Sequence, residues 1–212
     1  MNTAVVVFDL GMVLSTPMGL YEGIGRLLGV SPAEAEAGFW GPHRHAYDEG
    51  ISDREFWERA LPLIPAAQVE DLEALLPELI DVDVTSWRTP RPASRAILHR
   101  LHEGGVTTAV LSNAPRVFAQ AAPGFDWRSL VDHWFFSAEI GIAKPDAGIY
   151  SAVETALDRR PDQLWFIDDK QVNVDAAAAR GWHSHLWVDD ADTAAWLTAE
   201  GFLTGAPAEA TV

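Results

Sequence analysis

The sequence predicts an α/β fold: a Rossmann-like doubly wound parallel sheet core with a small α-helical cap inserted after the first strand. Three observations carry that expectation. Short unbroken apolar runs recur along the chain, and each closes on polar residues. Helical patterns alternate with these runs, and one long stretch near the N-terminus carries helical patterns alone. Continuous β-branched and aromatic runs of this length suit strands buried on both faces, as in a parallel sheet, rather than strands with one wet face.

The first run, Ala4 to Phe8, ends in Asp9. Between about Ser15 and Trp87 no buried-strand signal follows. Helical patterns appear instead at Gly19 to Leu28, Pro32 to Phe39, Asp53 to Ala60 and Ala67 to Ile80. Ser31-Pro32-Ala33-Glu34 has the form of a capping box with proline at the first helical position, and Ser52-Asp53-Arg54-Glu55 repeats the box. Thr89-Pro90-Arg91-Pro92 reads as a stiff return linker. A helix from Pro92 to His102 stops at Gly104-Gly105. The second run, Thr107 to Leu111, ends in Ser112-Asn113, and a further strand from His133 to Ser137 precedes Lys144-Pro145. A helix from Asp146 to Leu157 leads to Leu164 to Ile167, which ends in Asp168-Asp169. A helix from Asn173 to Arg180 then leads to His185 to Val188, which ends in Asp189-Asp190. The alternation makes residues 1–14 and 89–212 the core and residues 15–88 a cap placed over the active end of the sheet. The Ala-Pro-Ala-Glu-Ala-Thr-Val tail after Gly205 is expected to fray.

Composition narrows the function. A chain of 212 residues with 48% hydrophobic and 22% charged residues can bury one core and has room for an insertion. A net charge of −16 repels polyanions, so neither nucleic acid nor an anionic membrane surface is an expected partner. A small phosphorylated metabolite is compatible only if the site brings its own positive charge. The absence of cysteine removes disulfides, thiolate metal sites and a thiol nucleophile. Val5-Val6-Val7-Phe8 is too short for a signal sequence, and no run approaches membrane-spanning length, so a cytoplasmic location is expected. Oligomeric state is left open.

Each polar strand end has a bland explanation by itself. A carboxylate such as Asp9 after a strand is commonly a turn former, Ser112-Asn113 are good caps, and Lys144 could be a solvated loop residue. Asp168-Asp169 is more telling, because adjacent carboxylates at a buried strand end repel one another unless a cation is present. In open α/β sheets these ends converge on one crevice.

The segments Val-Phe-Asp9-Leu-Gly-Met-Val-Leu, Val-Leu-Ser112-Asn113-Ala, Ile-Gly-Ile-Ala-Lys144-Pro-Asp-Ala-Gly-Ile-Tyr150 and Trp-Phe-Ile-Asp168-Asp169-Lys-Gln-Val-Asn173-Val occur in that order. In residue type, order and placement they resemble the haloacid dehalogenase-like hydrolases. Within that superfamily the chain is similar to the branch containing bacterial α-D-glucose-1-phosphatase, which shares the Phe-Asp-Leu-Gly motif and a segment like Tyr47-Asp-Glu-Gly-Ile-Ser-Asp-Arg-Glu-Phe56. The resemblance implies a phosphatase in which Asp9 attacks phosphorus and forms an aspartyl-phosphate. It implies Mg²⁺ held by Asp9, the carbonyl of Gly11 and Asp169, with Asp168 nearby or through water, a donor set of hard oxygens suited to that ion. Ser112 and backbone N–H groups around Asn113 would hold phosphoryl oxygens, and Lys144 would neutralise developing charge. Asn173 would orient Lys144 or the surroundings of the metal.

One departure stands out. Gly11 occupies the place where most phosphatases of this superfamily carry a second Asp that protonates the leaving oxygen. A general acid contributes roughly 10²–10⁴ in rate, about 3–5 kcal/mol. A weakly basic leaving group, as in an anomeric or acyl phosphate, would tolerate the loss, and a histidine or water could cover it. Two further readings remain: a metal-independent 2-haloacid dehalogenase, which would leave Asp168-Asp169 with little purpose, and a catalytically silent binding or regulatory protein.

Other candidates are weaker. His43 and His45 do not match a one-face helical zinc pair and are expected at the cap surface, or else as the missing acid. His99 and His102 suit an exposed helix end. His183 and His185 are expected to flank the last strand as structural residues. Trp40, Trp57 and Trp87 are expected in the core of the helical unit or along a substrate pocket, and Lys170 as a solvated neighbour of the acidic pair.

Overall fold

A computed structural model describes residues 4–204, so the tail after Gly205 lies outside the described residues. Strand β1 (Val5–Phe8) is followed by five helices: α1 (Leu20–Leu28), α2 (Pro32–Phe39), α3 (Arg44–Asp48), α4 (Asp53–Ala60) and α5 (Leu72–Trp87). Then come α6 (Pro92–Glu103), β2 (Thr107–Ser112), α7 (Arg116–Ala121), β3 (His133–Phe136), α8 (Ser137–Ile140) and α9 (Ala147–Leu157). The chain continues through β4 (Leu164–Asp168), α10 (Gln171–Ala179), β5 (His183–Leu186) and α11 (Asp190–Ala199). The sheet is parallel throughout, in the order β3-β2-β1-β4-β5.

The inner strands β1, β2 and β4 are covered on both faces, as their unbroken apolar runs required. Val5 and Val7 point into a core shared with Ile149 and Val153 of α9 and Ala177 of α10. Val6 and Phe8 point to the other side, against Leu98 and Leu101 of α6 and Leu197 of α11, in a cluster continuous with Ile24, Phe39 and Phe56 of the helical segment. The connection from β1 leads towards β2 on one side, and that from β4 leads to β5 on the other. The carboxyl ends of β1 and β4 therefore flank the switch point where a ligand crevice forms.

The helical segment is tied to the sheet by a polar neck. The buried Ser15 hydroxyl lies 2.9 Å from the Trp87 carbonyl and 2.8 Å from that of Thr89, so the outgoing strand grips the returning one. Arg91 N–H donates to Leu14 O at 2.9 Å, and the Arg91 guanidinium binds the carbonyls of Met12 and Val13 as well as Asp190. Within the segment α1 and α5 touch through Gly23, where a Cβ would come within 2.6 Å of Val82 Cγ1.

Three expectations shift. The helix expected at Ala67 to Ile80 begins at Leu72, capped by Asp71, and runs on to Trp87. Its buried stripe passes through Leu76, Leu79, Asp83 and Trp87, so a carboxylate at a core position broke the apolar period that would have marked its end. The last strand starts two residues early, at His183 rather than His185. It is an edge strand, in which His183 stacks on Trp165 and His185 stacks on Trp196 and bonds Asp192, so its inner residues are not aliphatic. Both histidines therefore lie inside the strand instead of flanking it. Both expected capping hydroxyls form, with the reciprocal Glu34 contact also made at Ser31.

Replacing Ser15 by Ala removes the one hydroxyl donor shared by the Trp87 and Thr89 carbonyls and is expected to lower stability by about 1–3 kcal/mol. Urea denaturation of the variant against the wild type checks this, and an unchanged midpoint would mean the neck is held without it.

Candidate functional site

Sheet register brings the chemistry together. Phe8 pairs with Val110 on β2 and Ile167 on β4, so the next residues, Asp9, Leu111 and Asp168, stand level at the carboxyl ends of adjacent strands. The Asp9 N–H continues the ladder by donating to Ile167 O at 2.8 Å. Lys144 enters from the loop before α9, its ammonium 2.8 Å from Asp9 Oδ1 and 2.6 Å from Asp168 Oδ2, with a third bond to Leu111 O at 2.8 Å. All three donors of the ammonium are thus used, in a place where Lys144 is only 3% exposed.

The neighbours fix this arrangement. Asn113 clamps the backbone of Lys144: its amide nitrogen donates to Lys144 O and its oxygen accepts from Lys144 N–H, both at 2.8 Å. Asn173 donates to both oxygens of Asp168, at 2.9 and 3.0 Å, and the Lys170 N–H donates to Asp168 Oδ1 at 2.8 Å. Asn173 thus acts on Lys144 through Asp168 rather than by contact. Tyr150, buried on α9, donates to Asn173 O at 2.9 Å.

Oxygens of Asp9, Asp168 and Asp169 lie within 4.8 Å of one another. Burial pushes Asp9 up to about 7 against the opposing pull of Lys144, and the charges of Asp168 and Asp169 push the same way. Asp169 is likewise raised by burial and by Asp168. Burial alone would lower the Lys144 ammonium, but Asp9 and Asp168 on either side hold it above its ordinary value. Three carboxylates against one buried ammonium leave an excess of negative charge. The oxygen donor set therefore fits a divalent cation.

A chamber of about 340 Å³ opens over this cluster. Asp9, Gly11, Ser112, Asn113, Lys144, Asp169 and Asn173 line its floor, and Lys170 stands at the edge with an exposed side chain. Asp168 lies beneath, fully buried. The facing wall comes from the helical segment: Tyr21, Trp40, Arg44, Asp48, Asp83 and Trp87. Trp87 covers Gly11 closely, since a Cβ there would meet its ring at 3.6 Å. Trp40 and Trp87 are thus at the chamber, whereas Trp57 is a core residue at 2% exposure. Neither His43 nor His45 lines it; His45 is on the surface, 3.5 Å from Glu49. His99 and His102 are exposed on α6.

Arg44, Asp48 and Asp83 were missed in the sequence. The i, i+4 pair Arg44–Asp48 (Nε to Oδ1, 2.9 Å) lay inside a segment whose histidines drew attention, and the guanidinium stacks 4.5 Å from the Phe39 ring and 4.7 Å from that of Trp40. The helix α3 that carries them is docked on the core by Ser137, whose hydroxyl donates to Asp48 O and accepts from Ala114 N–H at 3.0 Å.

Residues 3–181 match the family of haloacid dehalogenase-like hydrolases. Among solved structures, a haloacid dehalogenase family enzyme of Bacteroides thetaiotaomicron in complex with magnesium and inorganic phosphate superposes with a TM-score of 0.68 at 18% identity, covering 86% of this chain and 93% of that one. A family hydrolase from Porphyromonas gingivalis gives 0.70 at 19% identity, covering 94% and 98%. L-2-haloacid dehalogenase from Xanthobacter autotrophicus, with chloropropionic acid covalently bound, gives 0.66 at 18% identity, covering 95% and 84%. At these identities the likeness establishes the fold. No helix among the described residues is long and apolar enough to cross a membrane.

Lys144→Met leaves Asp9 and Asp168 buried without their cation. We expect a loss of about 3–5 kcal/mol at pH 8, smaller at pH 5, where Asp9 is free to take up a proton. Urea denaturation at the two pH values checks it; equal losses would mean the ammonium serves packing alone.

Proposed function

The chain belongs to the haloacid dehalogenase-like hydrolases, and from that premise we propose that it is a Mg²⁺-dependent phosphatase of small phosphorylated metabolites with Asp9 as nucleophile. The observation that carries this reading is the cluster of three carboxylates around one fully engaged ammonium, at the floor of a chamber sized for a small molecule.

Asp9, Asp169 and the Gly11 carbonyl would hold the ion. Asp168, whose oxygens already accept from Lys144, Asn173 and Lys170, contributes mainly charge and position. Mg²⁺ supplies relief of the repulsion between the attacking carboxylate and the phosphate, and polarises phosphorus. The Ser112 hydroxyl and the N–H groups at Asn113 bind phosphoryl oxygens from the opposite side. Lys144, fixed by Asp168 and by the Asn113 clamp, keeps its charge beside Asp9 and offsets the negative charge that develops on the phosphoryl group. Attack by an Asp9 oxygen breaks the bond to the leaving oxygen and forms an aspartyl-phosphate, which water then opens to release phosphate and restore Asp9. Local cations at contact distance outweigh the repulsion of a −16 chain. The Phe-Asp-Leu-Gly motif, which resembles that of the glucose-1-phosphatase branch, supports trying sugar 1-phosphates first among the metabolites.

Gly11 and the fold shared with a dehalogenase favour a second reading, halide displacement at carbon without metal. Asp169 argues against it, because adjacent carboxylates at a buried strand end repel one another unless a cation is present. A phosphate-release screen over small phosphorylated metabolites separates the two. Release that needs Mg²⁺ and falls at least about 10³-fold in Asp9→Asn is the expected result. Halide release from 2-haloacids without metal would establish the dehalogenase, and neither activity would point to a silent binding protein.

A further inference from the structure

The floor of the chamber carries a nucleophile without an acid two residues after it: that place is Gly11, and the Trp87 ring lies over it. Among the described residues lining the chamber, two acids belong to the helical wall, and Asp83, unlike Asp48, forms no ion pair. Asp83 sits on α5 one turn before Trp87, on the same buried face, at 4% exposure. Resting on the phosphatase reading above, we propose that Asp83 is the general acid of this site, delivering a proton to the leaving-group oxygen from the wall opposite Asp9.

The surroundings suit a group that must hold a proton and then part with it. Burial pushes the Asp83 carboxyl up to about 6, opposed first by Arg44, while Asp48 and Asp53 add repulsion and the Trp87 indole hydrogen-bonds to its charged form. Asp53 is engaged elsewhere, accepting from the Tyr47 hydroxyl at 2.5 Å. Asp48 is paired with Arg44 Nε. The Arg44 side chain is nine-tenths buried, and its Nη1 has no hydrogen-bond partner. A spare guanidinium donor is thus in place for the carboxylate that Asp83 becomes once its proton has left.

The steps balance. An Asp9 oxygen bonds to phosphorus as the bond from phosphorus to the leaving oxygen breaks. That oxygen keeps the electron pair and takes the Asp83 proton, leaving Asp83 as a carboxylate near Arg44. In the second half water displaces the Asp9 oxygen from phosphorus and gives up a proton to solvent, from which Asp83 regains its own. Both carboxyl groups end as they began.

An acid matters only where the leaving group needs a proton. Wild type, Asp83→Asn and Asp9→Asn are to be compared with Mg²⁺ on p-nitrophenyl phosphate, whose leaving group departs unaided, and on an alkyl phosphate such as glycerol 3-phosphate. Asp83→Asn is expected to lose about 10²-fold or more in kcat on the alkyl ester while staying within about threefold on the aryl ester. Retained aryl turnover also reports a folded variant. A second readout is thermal stability. The folded-state carboxyl is raised from 3.8 to about 6, so its contribution to stability is present at low pH and lost as pH rises through 6. Asn does not suffer that loss, so the variant's Tm relative to wild type should be higher at pH 8 than at pH 4. Equal losses on the two esters, or no loss on the alkyl one, would overturn the assignment of Asp83 while leaving the phosphatase reading intact. Absence of Asp9-dependent release from either ester would overturn both.

Discussion

The buried ammonium of Lys144, held between Asp9 and Asp168, is the contact on which the rest of the site depends. Desolvating one cation and two anions is strongly unfavourable unless every partner is in place. The fold meets that demand with backbone as much as with side chains. Sheet register sets Asp9, Leu111 and Asp168 level, and the third donor of the ammonium goes to a main-chain carbonyl. Asn113 then fixes the loop from which Lys144 reaches in, and Asn173 fixes the carboxylate it reaches for.

That arrangement leaves a remainder. One ammonium does not balance Asp9, Asp168 and Asp169, and the charges of Asp168 and Asp169 add to the burial that already raises the Asp9 carboxyl. In the phosphatase proposed above, the same imbalance would be met by a hard divalent ion, which would also make an anionic phosphate acceptable. The helical segment supplies the opposite wall with its own charged set, Arg44 between Asp48 and Asp83. Ser15 and Arg91 tie the two crossings between the segment and the sheet, and Ser137 docks α3, so both walls are positioned by hydrogen bonds rather than by loops alone.

The sheet was legible because strands covered on both faces leave unbroken apolar runs, and those of β1, β2 and β4 stop at Asp9, Ser112 and Asp168-Asp169, at the crevice. Asp9, Ser112 and the Asp168-Asp169 pair could therefore be placed at strand ends before any coordinates. The edge strand was misplaced because stacked histidines stand where aliphatic residues were sought. Asn113 was read only for its backbone, since a side-chain clamp on a loop thirty-one residues away leaves no local pattern. Asp83 was hidden for a different reason. It interrupts the buried stripe of α5, and an interrupted stripe looks like the end of a helix. A charge at a core spacing inside a helix next to a catalytic strand would have been the signal to follow.

The chemistry proposed for the site requires that the acidic cluster take up a divalent ion through Asp169 as well as Asp9. Calorimetric titration of Mg²⁺ into the wild type and Asp169→Asn at pH 7.5 tests this without any assumption about substrate. One ion per chain in the wild type, weakened about tenfold or more in the variant, is the predicted result. An absence of binding to the wild type, or equal affinity in the two proteins, would contradict it.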